Sequence, residues 1–490
     1  MNILKRIFVS IFTVSLLFFI SSSQAMQSDS GQEKKESPFE KFENFAERAR
    51  KIYHVPGSAI AMVKDSEIVY AKGFGYRDVE HKLAVNPKTI FAIGSCTKAF
   101  TATALGMLVD QGKLDWDMPI RKYLSGFEMY DSQVTKKLSI RDCLCHRSGL
   151  PRYDILWNRF KNRAELVANL RYLKPNGKFR KEWQYNNLMY ALAGHVLETI
   201  SGMPWEKFVQ KHITEPFGMH NTYFSASVVP THPNAALAYE FDQINQSFKH
   251  VDYNNLDLIG PAGSIHSNVL DMAQWIIMNL KGTGISPEVH KPQILEEQDG
   301  KDYYCFGWSS FYLEAFGEIM MHDGATTGCS SLVLFLPSQN TGFVVLSNID
   351  VDGFNELLVK YANACITDDQ EEVLVLEKTL SEEASKTDDE TPSKTKQSFQ
   401  KIAPEQASQF AGTYHNDIFG DCVITVIGSV LTVAYLGETL CLGCIDKNTF
   451  KDVVDGEPSW VFQFKTNSSG TPEWFELEIE KDCLYEFVRT

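Results

Sequence analysis

Ser95 and Lys98, in the segment Gly94-Ser95-Cys96-Thr97-Lys98, stand three residues apart at what reads as the start of a helix. That spacing puts both side chains on one helical face, one turn apart, so the lysine nitrogen can reach the hydroxyl. A serine hydroxyl is a weak nucleophile, and a neighbouring amine whose own pKa is lowered by burial can activate it. The helix N-terminus adds backbone N–H groups and the positive end of the dipole where an oxyanion would form. Taken alone the pattern recurs by chance, and a serine N-cap beside a solvated lysine reads equally well.

Two further constellations follow in the chain. Tyr185-Asn186-Asn187 precedes the apolar run 188–200. A tyrosine near a lysine ammonium can be held with a lowered pKa and act as general base, while the Asn187 amide can orient the lysine and bind a substrate carbonyl. Read singly, a buried tyrosine next to a loop asparagine is the better reading. His322-Asp323-Gly324 follows an apolar strand and precedes Ala325. A glycine there lets an extended substrate approach the strand backbone, whose next N–H, that of Ala325, can complete an oxyanion hole with that of Ser95. A lone His-x-Gly would be only a loop. The three together, in this order and each on the expected element, favour an active serine.

The elements that must carry these groups can be traced from periodicity. Apolar residues at three- and four-residue spacings predict a helix over 38–54, and the runs 58–63 and 68–73, joined by polar residues, predict a hairpin. A long helix is expected from Ser95 to a stop at Gly112. The stretch 115–279 reads as mixed, with helical pieces and many loop residues. Strands are expected at 317–321, 330–336 and 342–348, and a helix at 354–365. Helix, hairpin, helical insertion, three strands and a helix make an α/β (α+β) sandwich, whose antiparallel sheet is assembled from both ends of the domain. Residues 366–400 carry ten acidic and four basic residues, the composition of a solvated linker, with a charged surface helix over 371–380 as the alternative. After that, short alternating runs such as 422–427, 430–435 and 460–465 predict a small all-β, barrel-like domain. Few packing contacts should cross such a linker, so the β domain is expected to be separable.

At 490 residues with 44% hydrophobic content the chain has material for two or three cores. Its formal net charge of −15 disfavours a nucleic-acid partner. Lys5 and Arg6, the apolar stretch 7–20 and Ser23-Gln24-Ala25 read as a signal peptide cleaved after Ala25, too short to stay as a membrane anchor. The expected divisions are a leader at 1–25, a disordered segment at 26–37, a hydrolase domain at 38–365, an acidic linker at 366–402 and a β domain at 403–490. The expected compartment is periplasmic or extracellular. Cys143-Leu144-Cys145-His146 and Cys441-Leu442-Gly443-Cys444 lack paired zinc-ligand spacing, so buried thiols or disulfides fit better than a metal. No Gly-x-Ser-x-Gly elbow, phosphate loop or His-Glu-x-x-His motif is present. Lys174, Lys178, Arg180 and Lys181 cluster before Tyr185, either to draw anionic substrates or as a solvated basic loop.

Val55-Pro56-Gly57, Phe74-Gly75-Tyr76, Ser95-Cys96-Thr97-Lys98, Cys145-His146-Arg147-Ser148-Gly149-Leu150-Pro151, Tyr185-Asn186-Asn187, Pro261-Ala262-Gly263-Ser264, Phe306-Gly307-Trp308 and His322-Asp323-Gly324 together resemble the successive signatures of the serine β-lactamase-related, penicillin-binding-protein-like family. That family includes class C β-lactamases, D,D-carboxypeptidases, D-aminopeptidases and esterases. The resemblance covers roughly 39–365, and the β domain is similar to the lipocalin-like units appended to some members. It implies a β-lactamase/transpeptidase-like fold with a helical insertion. It also implies Ser95 as the nucleophile of an acyl-enzyme, with Lys98 and Tyr185 sharing the proton transfers. Asn187 would orient lysine and substrate, Gly324 would admit the substrate, and the N–H groups of Ser95 and Ala325 would form the oxyanion hole. His322 would stand where many members place a substrate-binding lysine. Histidine is mostly neutral at neutral pH, and the resemblance implies peptidase or esterase members more than dedicated β-lactamases. The expected substrates are D-amino-acid peptides or related amides, cell-wall fragments among them, with no metal and no cofactor. The competing readings are a carboxylesterase using the same residues and a binding protein that has lost turnover.

Overall fold

The computed structural model describes residues 38–227, 231–297, 300–314, 316–385, 399–400, 402–427, 430–435, 438–452 and 460–490. The leader and the segment 26–37 lie outside the described residues. Among the described residues no helix is long and apolar enough to cross a membrane.

The chain opens with helix α1 (Pro38–Ile52), whose Phe42, Phe45, Ala46 and Ala49 recur at three and four residues and are all buried. Strands β1 (Gly57–Lys64) and β2 (Glu67–Asp78) form the expected hairpin. Its turn residues Asp65 and Ser66 both have positive φ, 51° and 64°, the turn geometry whose twist matches that of antiparallel strands. Helix α2 (Thr97–Asp110) is buried around almost its whole circumference, as a helix apolar on every face must be. Helix α3 (Asn187–Ser201) and helix α4 (Val269–Lys281) follow. Four antiparallel strands come next: β3 (Ser309–Leu313), β4 (Gly317–Thr326), β5 (Cys329–Leu336) and β6 (Thr341–Ser347). Helix α5 (Phe354–Thr367) then closes the unit.

The strands form one sheet in the order β2-β1-β6-β5-β4-β3, with two-residue strands at both edges bringing the total to nine. Pairing of β1 with β6, Ser58 opposite Ser347 through Lys64 opposite Thr341, joins the two ends of the domain. Side chains alternate across this sheet. Ile60 and Met62 pack with Leu332, Leu334, Phe343 and Val345 against α1 and α5. Ala59, Ala61 and Val63 face the other way, into the core that holds α2, α3 and α4.

Two expectations change. The strand expected at 317–321 continues to Thr326, so His322-Asp323-Gly324 lies within β4 rather than in a loop after it. The acidic segment starts as helix α6 (Gln370–Ser385). Its Leu376 and Leu380 are buried against α1 and α5, and Glu377 accepts two 2.7 Å bonds from Arg48 and one at 3.1 Å from Tyr361. The negative charges mask an amphipathic repeat.

Eight further strands close a barrel: β7 (Gly412–Asn416), β8 (Gly420–Ile427), β9 (Val430–Tyr435), β10 (Glu438–Asp446), β11 (Thr449–Asp452), β12 (Val461–Thr466), β13 (Pro472–Glu480) and β14 (Cys483–Arg489). Tyr414, Phe419, Phe450, Phe462, Phe464, Phe475 and Phe487 are buried in it. The barrel is seated on the insertion, with Tyr153 buried against Phe419 and Tyr485 and Arg159 Nε donating to the Ile418 carbonyl at 2.9 Å. It is not an appendage on a free tether.

Candidate active site

Ser95 lies in a single 3-10 turn, Gly94–Cys96, that leads directly into α2. It is partly exposed, whereas Lys98, one turn on, is fully buried. Lys98 Nζ lies 3.0 Å from Ser95 Oγ, 2.7 Å from Asn187 Oδ1 and 2.9 Å from the Ala262 carbonyl. Among the described residues no carboxylate pairs with it. Burial therefore draws its pKa well below the usual lysine value, and the positive charge of Arg152 adds to the effect. An uncharged amine has two N–H bonds and one lone pair. With Asn187 and Ala262 accepting the two N–H bonds, the lone pair falls to the Ser95 hydroxyl.

Asn187 and Tyr185 are placed by the start of α3. Asn186 caps that helix, its Oδ1 accepting from the Met189 N–H at 3.0 Å. Its Nδ2 donates to the Leu150 carbonyl at 3.1 Å and to that of Pro151, and its backbone N–H donates to His146 Nδ1 at 3.0 Å. These bonds tie the 145–151 segment to the helix start. The Tyr185 hydroxyl is close enough to the Ser95 side chain for the two to interact, and Lys98 Nζ lies 4.6 Å from the Tyr185 ring centroid. Burial raises the Tyr185 pKa above the ordinary phenol value, the reverse of the lowering expected from sequence. The nearby lysine is itself held toward its uncharged form, and Arg152 offsets only part of the desolvation.

Gly324 and Ala325 meet Ser95 across the seam between β4 and the 3-10 turn. A Cβ on Gly324 would lie 2.2 Å from the Ile93 carbonyl oxygen and 2.9 Å from Ser95 N, and one on Gly94 (φ 46°) would lie 2.9 Å from Ala325 N. Only glycine on both sides allows so close an approach, which brings the Ser95 and Ala325 backbones side by side. Beyond Met321, where pairing with β3 ends, residues 322–326 are paired with β5 alone. His322 is buried, with both ring nitrogens engaged. Nδ1 lies 2.6 Å from the Asp323 carbonyl and Nε2 lies 2.9 Å from Tyr304 Oη. Nδ1–H therefore donates to Asp323, and Nε2 accepts from the Tyr304 hydroxyl. Burial pushes its pKa down to about 4. It stands uncharged behind Ser95, without a free nitrogen for a carboxylate.

Sequence reasoning missed four contributors. The Ala262 carbonyl is a backbone group in the Pro261-Ala262-Gly263-Ser264 motif, and Tyr304 sits in an aromatic-rich stretch, between Tyr303 and Phe306-Gly307-Trp308, where nothing singles it out. Arg152 and Asp154 directly follow the 145–151 motif. Asp154 Oδ2 accepts from Arg152 Nε at 2.6 Å, and its Oδ1 lies 3.4 Å from Asn187 Nδ2. Three of the four side chains of the basic cluster pair with other groups. Arg180 binds Asp142 through two bonds of 2.9 and 2.7 Å, Lys178 pairs with Glu182, and Lys174 donates to the Leu484 carbonyl in the barrel. All ten cysteines are free thiols, with Cys441 exposed and the rest buried. Among the described residues no group of three or more His, Cys, Asp or Glu could hold a metal.

The sequence model of the family described as Beta-lactamase matches residues 42–366. The chain is 27% identical over 345 residues to unguisins hydrolase ungD of Aspergillus violaceofuscus, covering 63% of this chain and 60% of that protein. It is 25% identical over 326 residues to Protein flp of Staphylococcus aureus, covering 64% of this chain and 63% of that protein. It therefore spans about three fifths of the length of these relatives. The octameric penicillin-binding protein homologue from Pyrococcus abyssi has the same fold, with a TM-score of 0.61 at 23% identity over 92% of this chain and 99% of that one.

Proposed function

This chain belongs to the β-lactamase family, whose members are typically serine hydrolases, and from that premise we propose that it hydrolyses D-amino-acid peptides or related amides through an acyl-enzyme on Ser95. The observation that carries this reading is the Lys98 nitrogen, 3.0 Å from Ser95 Oγ with its other two bonds made to carbonyl oxygens. Lys98, as the free amine, takes the serine proton directly or through the Tyr185 hydroxyl, and Ser95 Oγ attacks the substrate carbonyl carbon. The carbonyl oxygen, now negative, is held by the N–H groups of Ser95 and Ala325. As the intermediate collapses, Tyr185 passes a proton to the leaving nitrogen and regains one from Lys98. Water then attacks the ester by the reverse sequence, so no metal or cofactor takes part. The single-sided pairing of residues 322–326 supports a peptide substrate, because an extended chain can add to that edge by main-chain hydrogen bonds.

We further propose that residues 1–25 act as an export leader, so that the activity is periplasmic or extracellular, where cell-wall fragments occur. N-terminal sequencing of protein recovered outside the cytoplasm checks cleavage after Ala25. The function itself is tested by steady-state hydrolysis of D-alanyl peptides, D-amino-acid amides, short acyl esters and a chromogenic β-lactam, each with wild type and Ser95→Ala. Amide turnover that disappears in Ser95→Ala is expected. Turnover of esters only would replace the peptidase reading with an esterase. A folded wild type inert on the whole panel would favour the binding protein.

A further inference from the structure

One turn of the chain faces both the barrel and the site. Tyr153 has φ 48°, a costly conformation for a bulky residue that persists only where its surroundings enforce it. The enforcement comes from the barrel. The Tyr153 N–H donates to Glu480 Oε1 at 2.6 Å, and its hydroxyl lies 2.7 Å from Tyr485 Oη and donates to the Lys174 carbonyl at 2.8 Å. Tyr485 Oη in turn accepts from the Lys174 N–H at 2.7 Å. Glu480 and Tyr485 flank the turn between β13 and β14.

The residues on either side of Tyr153 touch the other partner. The Arg152 guanidinium carbon lies 5.2 Å from the centroid of the Tyr185 ring, and Asp154 lies against Asn187 while pairing with Arg152 Nε. Arg152 keeps 49% of its side chain exposed. Its two Nη groups make no hydrogen bond among the described residues. It is also the permanent cation whose charge is felt by Lys98, His146 and Tyr185. His322, by contrast, is neutral with both nitrogens occupied.

We propose that Arg152 is a specificity-determining residue that pairs with a carboxylate on the substrate, and that the C-terminal barrel belongs to the site because Glu480 and Tyr485 hold the turn that positions it. The inference rests on Ser95 being the nucleophile, as proposed above. Two free Nη groups on one planar fork match the two oxygens of a carboxylate. The carboxylate can lie on the acyl side of the scissile bond or on the leaving-group side.

Two ester pairs separate these cases in the full-length protein. The acyl-side pair is 4-nitrophenyl glutarate against 4-nitrophenyl valerate. The leaving-group pair is 3-carboxy-4-nitrophenyl butyrate against 4-nitrophenyl butyrate. The quantity read is the ratio of kcat/KM for the charged and neutral members, which cancels any common effect on Ser95 chemistry. In one pair, Arg152→Gln should lower the ratio about tenfold or more, as expected for a lost charge-assisted hydrogen bond, and Arg152→Lys should restore part of it. Glu480→Gln and Tyr485→Phe, the latter removing a single oxygen atom, should lower the same ratio in the same direction. Ratios equal to wild type in Arg152→Gln, with Ser95 still acylated by the neutral ester, overturn this inference alone. A ratio that falls in Arg152→Gln but stays at the wild-type value in both barrel variants overturns the role of the barrel. Absence of acylation at Ser95 by any ester overturns the nucleophile assignment and this inference with it.

Discussion

Gly324→Ala is the most demanding test of how β4 and the Gly94–Cys96 turn are fitted together. The added methyl would lie 2.2 Å from the Ile93 carbonyl oxygen, 2.5 Å from Ser331 Oγ and 2.9 Å from Ser95 N. Carbon and oxygen approach to about 3.3 Å at the closest ordinary contacts, so the seam must open by about 1 Å. Two of the three atoms are backbone, and Ser331 Oγ donates to that same Ile93 carbonyl at 2.9 Å, so no flexible side chain can absorb the shift. A misplacement of about 1 Å in a catalytic constellation can cost about 10²-fold, and loss of one oxyanion donor about 10²–10³-fold. The acylation rate of Gly324→Ala should therefore fall by about 10²–10³-fold, while overpacking costs about 1–3 kcal/mol of stability. Stopped-flow measurement of the nitrophenolate burst from 4-nitrophenyl acetate reads the first quantity, and urea unfolding the second. A folded variant with a burst as fast as wild type would refute the fitted seam and the oxyanion hole derived from it.

Lys98→Ala and Tyr185→Phe should each slow acylation by about 10²–10⁴-fold. The double variant should lose far less than the product of the two, because they handle one proton between them. Lys98 must be uncharged to accept the serine proton, so kcat/KM should rise with pH through its lowered pKa. Arg152→Gln removes a positive charge that helps lower that pKa, so the acid limb of the profile should move to higher pH, and an unmoved limb would count against Lys98 as the base. In the folded chain His322 stays unprotonated down to about pH 4, whereas an unfolded histidine takes its proton near pH 6.5. It therefore costs stability progressively as pH falls through that window. Urea titrations of His322→Asn should show a pH dependence flatter than wild type by up to about 1.4 kcal/mol per pH unit there.

The juxtaposition of Ser95, Lys98 and Asn187 was legible because their positions follow helical periods. Ser95 and Lys98 are one helical turn apart, and Asn186 and Asn187 open a helix whose apolar run is plain in the sequence. The joining of the first hairpin to the last strands was legible too, since the β1 and β6 segments are both too apolar to tolerate solvent on either face. What escaped has no local signature. The Ala262 carbonyl carries no side-chain information, and Tyr304 acquires its role only by packing beside His322. The inward face of α6 repeats at Val373, Leu376 and Leu380, but its abundant glutamates outweighed that pattern when charge was counted over the whole segment. The seat of the barrel depends on Tyr153 meeting Glu480 and Tyr485, each more than 300 positions further along the chain. The direction of the Tyr185 shift was misjudged because desolvation is a property of the folded site, and only the neighbouring positive charge can be read from the sequence.

Covalent labelling tests the central claim most directly. Wild-type protein mixed with a penicillin or an activated ester and quenched within the burst should gain the mass of one acyl group, and peptide mapping should place it on the fragment containing Ser95. Ser95→Ala should gain no mass and lose turnover. An adduct on a different serine, with Ser95→Ala fully active, would contradict the account of the whole site.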